Sequence, residues 1–226
     1  MADDSSGLEI ALTTTTLPWI TEHTPPHGQM WRITADALER HTWGGLHGLT
    51  TYYWDVEAAA LVPDAHFAIA PDSAQNAEQM MAGAGMLSRV LAEHIRKRPP
   101  GDAPIVACVL QLEVWTLSRQ ASAGLDAAQR RRIDRGGVHT LPGAVERFVV
   151  TAADVAERVW WAHKSRRNGP SAVRGPADRG VHGPYEALMR ALMASVPPLY
   201  VTAAQAFWNP EQHEQGEGGE SNVRSG

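Results

Sequence analysis

Residues Pro104–Leu117 read PIVACVLQLEVWTL, the most apolar run of the chain. Successive strand residues point to opposite faces. Ile105, Ala107, Val109, Gln111, Glu113, Trp115 and Leu117 therefore share one face, and Val106, Cys108, Leu110, Leu112, Val114 and Thr116 the other. Both faces are mainly apolar, so the run predicts a central strand covered on both sides. Only Gln111 and Glu113 break the pattern, which makes Glu113 the first residue to ask about chemically.

Working outward, the longest helix is expected over residues 73–98. Met80, Ala84, Leu87, Leu91 and Ile95 form one stripe, and Arg96, Lys97 and Arg98 suit its C-terminal end before Pro99, Pro100 and Gly101 stop it. Gly83 and Gly85 each cost a helix roughly 1 kcal/mol relative to Ala, so they are expected to admit a close neighbour. A second helix is expected over 184–196, with Pro184 in its first turn and Tyr185, Leu188, Met189, Leu192 and Val196 as its stripe. Before the long helix, Leu49–Val56 and His66–Ala70 read as strands, and after the central strand 126–135 reads as an exposed helix.

Ala144–Thr151 and Arg158–Ser165 read as a hairpin, with a helix through 151–167 as the competing reading. Residues 18–28 carry three prolines and read as an irregular arm, followed by a short helix capped by Thr34. Leu8–Leu17 reads as an edge strand, and Leu199–Trp208 as a last short element. Between 165 and 184 seven glycines and prolines argue against regular structure.

These elements predict an α+β fold: an antiparallel sheet around strand 104–117, with helices 73–98 and 184–196 packed on one face. The expected organisation is a mobile tail 1–9, a single domain 10–208 and a disordered acidic tail 209–226. The run Glu113-Val114-Trp115, then Leu141-Pro142-Gly143-Ala144-Val145-Glu146-Arg147, then a hairpin, resembles uncharacterised small α+β proteins of actinobacterial and phage genomes over roughly residues 75–195. That resemblance implies no activity.

Composition narrows the function classes. A single cysteine forms no intramolecular disulfide and fits a reducing compartment, and no leader or membrane-length apolar run is present, so a soluble, cytoplasmic chain is expected. The net charge is -5, but seven of the 25 acidic residues lie in the two tails together with only one of the 20 basic ones, Arg224. The body is therefore close to neutral. Only Lys97 and Lys164 among the basic residues are lysines, a bias of the kind that GC-rich coding DNA produces.

No metal site is expected among the ten histidines, because the only close pair, His23 and His27, is separated by Thr24, Pro25 and Pro26. No cofactor fingerprint is present either. For catalysis the candidates are Glu113, His139 and His163, with Cys108 an inert core thiol rather than a nucleophile. Glu113 reads more simply as a structural carboxylate paired with a basic residue of the 145–165 region.

For binding the candidates are Arg166, Arg167, Arg174 and Arg179, with Trp160 and Trp161 as neighbouring aromatics. Trp19, Trp31, Trp43, Trp54 and Trp208 either anchor protein contacts or fill a second layer of core. The sequence thus favours a non-enzymatic binding or assembly protein with a protein partner or self-association, and no membrane. The alternatives are a small hydrolase or transferase using Glu113 with a nearby histidine, and nucleic-acid binding through residues 158–190.

Overall fold

The computed structural model describes residues 16–45, 47–69, 77–99, 101–135, 137–166, 168–177 and 184–208. The expected tails, the edge strand before residue 16 and the helix start at 73–76 lie outside these. In chain order the elements are α1 (16–23), α2 (His27–Arg40), β1 (Gly48–Asp55), β2 (Ala60–Ala68), α3 (Ala77–Arg96) and β3 (Ile105–Thr116). They continue with α4 (Arg119–Ala123), α5 (Ala127–Asp134), a 3-10 turn (Gly137–Thr140), β4 (Val145–Asp154), β5 (Val159–Ser165), β6 (Gly169–Pro170), β7 (Arg174–Ala177), α6 (Pro184–Ala194) and α7 (Val196–Trp208).

The fold is α+β, as the alternation of patterns predicts. The sheet is antiparallel in the order β2-β1-β3-β4-β5-β6, and β7 also pairs with β5. β3 lies inside it, between β1 and β4. Ile105 to Leu110, Leu112 and Val114 are buried on both faces, and each fully buried Val, Leu or Ile contributes about 1.5–3 kcal/mol. Cys108 has no exposed surface, and burial pushes its thiol up to about 12. It is a small hydrophobe here.

Helices on one face only is the expectation that needs correcting. α3 and α6 pack together on the face of Cys108 and Leu110, where Leu91, Leu188, Met189, Leu192 and Met193 are fully buried, and α7 packs on both helices. The opposite face is covered by α2. Its buried residues Met30, Ile33, Thr34, Ala37 and Leu38 recur at helical spacing. This helix is longer than the one expected after Thr34. Pro26 opens it, as its carbonyl accepts from the Gln29 and Met30 N–H groups, and Thr34 is an interior residue whose hydroxyl bonds the Met30 carbonyl at 2.7 Å.

Residues 16–23 are also helical, where the end of an edge strand at Leu17 and an irregular arm from Pro18 are expected, with Pro18 in the first turn, where a missing N–H costs nothing. Pro197 and Pro198 likewise start α7 rather than separating it from a short element. Trp19 stacks on Tyr200 with ring centroids 5.5 Å apart, and Trp43 and Trp54 pack against the core. Trp31, 48% exposed, stays at the surface.

The hairpin reading of 145–165 holds. Asp154, fully buried, closes it by accepting from the Ala156 and Arg158 N–H groups and from Arg158 Nε at 2.7 Å. Arg158 also donates to the Pro25 carbonyl at 2.6 Å, tying the turn to the start of α2. Residues 169–177 are not structureless, because β6 and β7 fold back on β5. Gly175 permits this. Its φ is +130°, and a Cβ there would sit 2.6 Å from the Val159 carbonyl oxygen and 2.8 Å from Trp160 Cα.

Gly85 has the opposite character, since a Cβ at this exposed helix position meets nothing within 4 Å. Gly85→Ala should therefore raise stability by about 0.5–1 kcal/mol, because it removes only unfolded-state entropy. Gly175→Ala should lower stability and loosen β7 from β5. Urea midpoints of the two variants check both signs.

Candidate functional site

Glu113 sits on the face covered by α2, level with Phe148 of β4 and Lys164 of β5 in the strand register. α2 ends at His41, whose backbone turns extended, and the following segment returns over this carboxylate. Glu113 Oε1 accepts from His41 Nε2 at 2.7 Å and from the Gly44 N–H at 2.7 Å. His47 Nε2 lies 3.5 Å from the other oxygen, an electrostatic contact too long to count as a hydrogen bond. The partner expected in the 145–165 region is thus replaced by two histidines and a backbone amide from the α2–β1 connection.

The rest of the region holds the same segment. The His41 ring stacks on Phe148 with centroids 3.5 Å apart, and Trp43 meets it edge-on. Lys164 Nζ donates to the His41 carbonyl at 2.8 Å. Arg166 lies over the Trp43 ring and pairs with Glu146 at 3.0 Å.

Burial alone would raise the Glu113 carboxyl, but the Gly44 N–H, the His41 hydrogen bond and the neighbouring His47 together hold it below the usual carboxylate range. Burial lowers His41, and Lys164 adds to this against the pull of Glu113. At neutral pH the pair is therefore a carboxylate with a neutral imidazole donating from Nε2. The other ring nitrogen, Nδ1, is then bare and buried, with no hydrogen-bond partner among the described residues.

A general base needs that second nitrogen to reach a reacting proton. Here the His41 side chain is 3% exposed and closed in by aromatic rings. This geometry fits a structural carboxylate that clamps a connection. His163 cannot join Glu113, because it points to the opposite face of β5, and His139 is exposed, with Trp115 as its ring neighbour at 6.2 Å. Among the described residues no three His, Cys, Asp or Glu side chains are grouped to hold a metal ion.

The binding candidates also separate once their contacts are known. Trp160 is fully buried on the α2 face, donates from Nε1 to His27 Nδ1 at 3.2 Å and lies under Arg158, so it is a core side chain. Trp161, one residue on, faces the other way, stacks parallel to His163 and carries Arg174 over its ring at 5.2 Å. Arg166 is occupied as described. Arg167 and Arg179 lie outside the described residues.

On the Trp161 side a cavity of about 220 Å³ is lined by Arg147, His163, Ser165, Asn168, Gly169, Pro170 and Ser171. β6 forms its wall: the His163 and Ser171 main chains bond at 2.6 Å, Ser171 Oγ accepts the His163 N–H at 2.9 Å, and Ser165 Oγ accepts the Asn168 N–H at 2.9 Å. Burial lowers His163, and Arg147 and Arg174 lower it further. Arg147 Nε is buried and has no hydrogen-bond partner among the described residues.

Sequence reasoning missed His41 and His47, and it took Arg147 only as one of the basic residues that could pair with Glu113, not as a binding residue. The first two carry no local signal, whereas Arg147 is a charged residue inside a strand-like apolar run and could have been singled out. A second cavity, of about 230 Å³, lies between α2 and the β1–β2 hairpin, with Arg32, Asp36, Arg40, Tyr52 and Gln111 among its polar walls.

No protein-family model matches the chain, and no curated protein or solved structure matches it at a significant level. Among the described residues no helix is long and apolar enough to cross a membrane.

Glu113→Gln removes the charge and keeps the shape. It should cost about 1.5–3 kcal/mol, the usual contribution of hydrogen bonds to a charged group, and increase proteolysis within 41–47. Acid should act in the same direction. Unfolded His41 takes up a proton near its ordinary value of 6.5 and the folded state resists it, so stability should fall as the pH drops below that value. The Glu113 contribution is full above its ordinary value of 4.5 and is lost as the pH falls through its depressed folded value. Urea midpoints between pH 7.5 and 4 check this, and a flatter profile in His41→Gln is expected.

Proposed function

We propose that the protein is a non-enzymatic binding protein whose contact surface is the β5–β6–β7 end of the sheet, and that its partner presents anionic groups there. The observation that carries this reading is the division of the basic residues. Arg158, Lys164 and Arg166 are tied to Asp154, the His41 carbonyl and Glu146. Arg147 and Arg174 have no carboxylate within salt-bridge distance among the described residues, and His163 lies in the field of both. Positive charge without an internal counter-charge is poised for an external one.

The closed surroundings of His41 and Glu113 support binding over catalysis. Nucleic acid, an acidic protein surface and a single anionic ligand differ in salt dependence, since each phosphate contact on a single strand contributes about 0.7 of a unit to the slope of log affinity against log salt.

Fluorescence anisotropy with a labelled single-stranded oligonucleotide and with an acidic peptide, from low to physiological salt, tests the reading. Arg174→Ala combined with Arg147→Gln should weaken binding of whichever probe binds, and Arg166→Ala, an internally paired residue, should change it little. A steep slope would identify nucleic acid. Absence of binding to every anionic probe at low salt would remove the proposal.

A further inference from the structure

We infer that the cavity between β4, β5 and β6 is a binding site for the phosphate group of a small phosphate monoester. The inference rests on the proposed anionic contact surface and assigns a ligand to one part of it. Among the described residues the polar side chains that line the cavity are Arg147, His163, Ser165, Asn168 and Ser171, and no carboxylate is among these. A pocket with a guanidinium and without an acid favours an anion.

The donors are also free in a specific sense. A hydroxyl has one proton and two lone pairs. Ser165 and Ser171 each use a lone pair to accept a backbone N–H, from Asn168 and His163 respectively, which leaves both protons for another acceptor. Among the described residues neither hydroxyl donates to one. Arg147 Nε is buried and has no hydrogen-bond partner among the described residues, so the desolvation of that N–H is uncompensated by them and an entering acceptor would satisfy it. The Ser165 hydroxyl, itself on a residue only 7% exposed, lies on the same face of the sheet as this guanidinium, directly across the β4–β5 register.

Three donor sources of different origin match the three terminal oxygens of a phosphate monoester. A diester offers two such oxygens, and a carboxylate offers two in one plane. The double negative charge meets the Arg147 guanidinium, with Arg174 held nearby over the Trp161 ring that stacks on His163, so a monoester is favoured over a monoanion. The volume of about 220 Å³ is several times the roughly 30 Å³ share of one water, which leaves room for a few further heavy atoms next to the Asn168 amide.

Isothermal titration calorimetry of the full chain with inorganic phosphate, glycerol phosphate and sodium acetate tests the assignment. Phosphate and glycerol phosphate should bind with one site per chain, and acetate should bind far more weakly. Arg147→Gln should weaken the phosphate probes about ten- to hundred-fold, the usual range for a hydrogen-bonded charge. Ser171→Ala should weaken them several-fold. Should Arg147→Gln fail to fold, Ser171→Ala and His163→Gln decide the matter through the same titration.

No saturable phosphate binding, or binding undiminished by these substitutions, would overturn the inference. If Arg174-dependent binding of a polyanion persists while the phosphate probes do not bind, only this assignment falls and the proposed contact surface stands. Loss of both removes both. A 5′-phosphorylated oligonucleotide or a phosphoserine peptide that binds where glycerol phosphate does not would overturn the small-ester assignment in favour of a macromolecule.

Discussion

The alternation of side chains across β3, β4 and β5 is the constraint on which the other features depend. These three strands run in phase, so that Glu113, Phe148 and Lys164 stand on one face and Val114, Arg147 and Ser165 on the other. Because β3 is apolar on both faces, each face needs its own cover. A shift of the register by one residue would exchange the two sets and bury Arg147 under α2. The separation of the Glu113 side from the Arg147 side follows from the pleat.

Glu113 performs a structural task with groups that often serve catalysis. The carboxylate gathers His41, the Gly44 amide and His47, and thereby fixes the route by which the chain leaves α2 and enters β1. Lys164 near the end of β5 and Arg166 just after it fasten the same segment from beyond β4. The chemistry follows from burial and hydrogen bonding together, since the carboxylate stays ionised and the imidazole neutral, and the arrangement needs no net ion pair.

On the opposite face the logic is reversed. β6 pairs with the edge of β5, and residues 168–171 line a cavity with Arg147, His163 and Ser165 that has no acid among its described lining residues. Polar groups inside a protein normally find partners there. Arg147 Nε, buried with no partner among the described residues, departs from that rule, and departures of this kind tend to occur at functional sites.

The amino-acid pattern by itself determined the elements whose signal is local. β3 follows from its apolar run, α3 and α6 from their stripes, the β4–β5 hairpin from Val, Phe and Trp content, and the inertness of Cys108 from its place in β3. The stripe Met30, Ile33, Ala37 and Leu38 of α2 was equally present, but the prolines before it drew attention to breakage rather than to a helix start. Tertiary structure alone decided the remainder. Glu113 meets His41 across 72 residues of chain, a pairing that no spacing encodes. Trp160 and Trp161 are adjacent and chemically identical, and only the pleat sends one into the core and the other to the cavity side. The glycines and prolines of 169–177 disfavour regular structure locally, yet β5 offers an open edge and the chain pairs with it. Periodicity reports what a residue's immediate neighbours allow, whereas pairing depends on which edges and faces remain unsatisfied after the rest of the chain has packed.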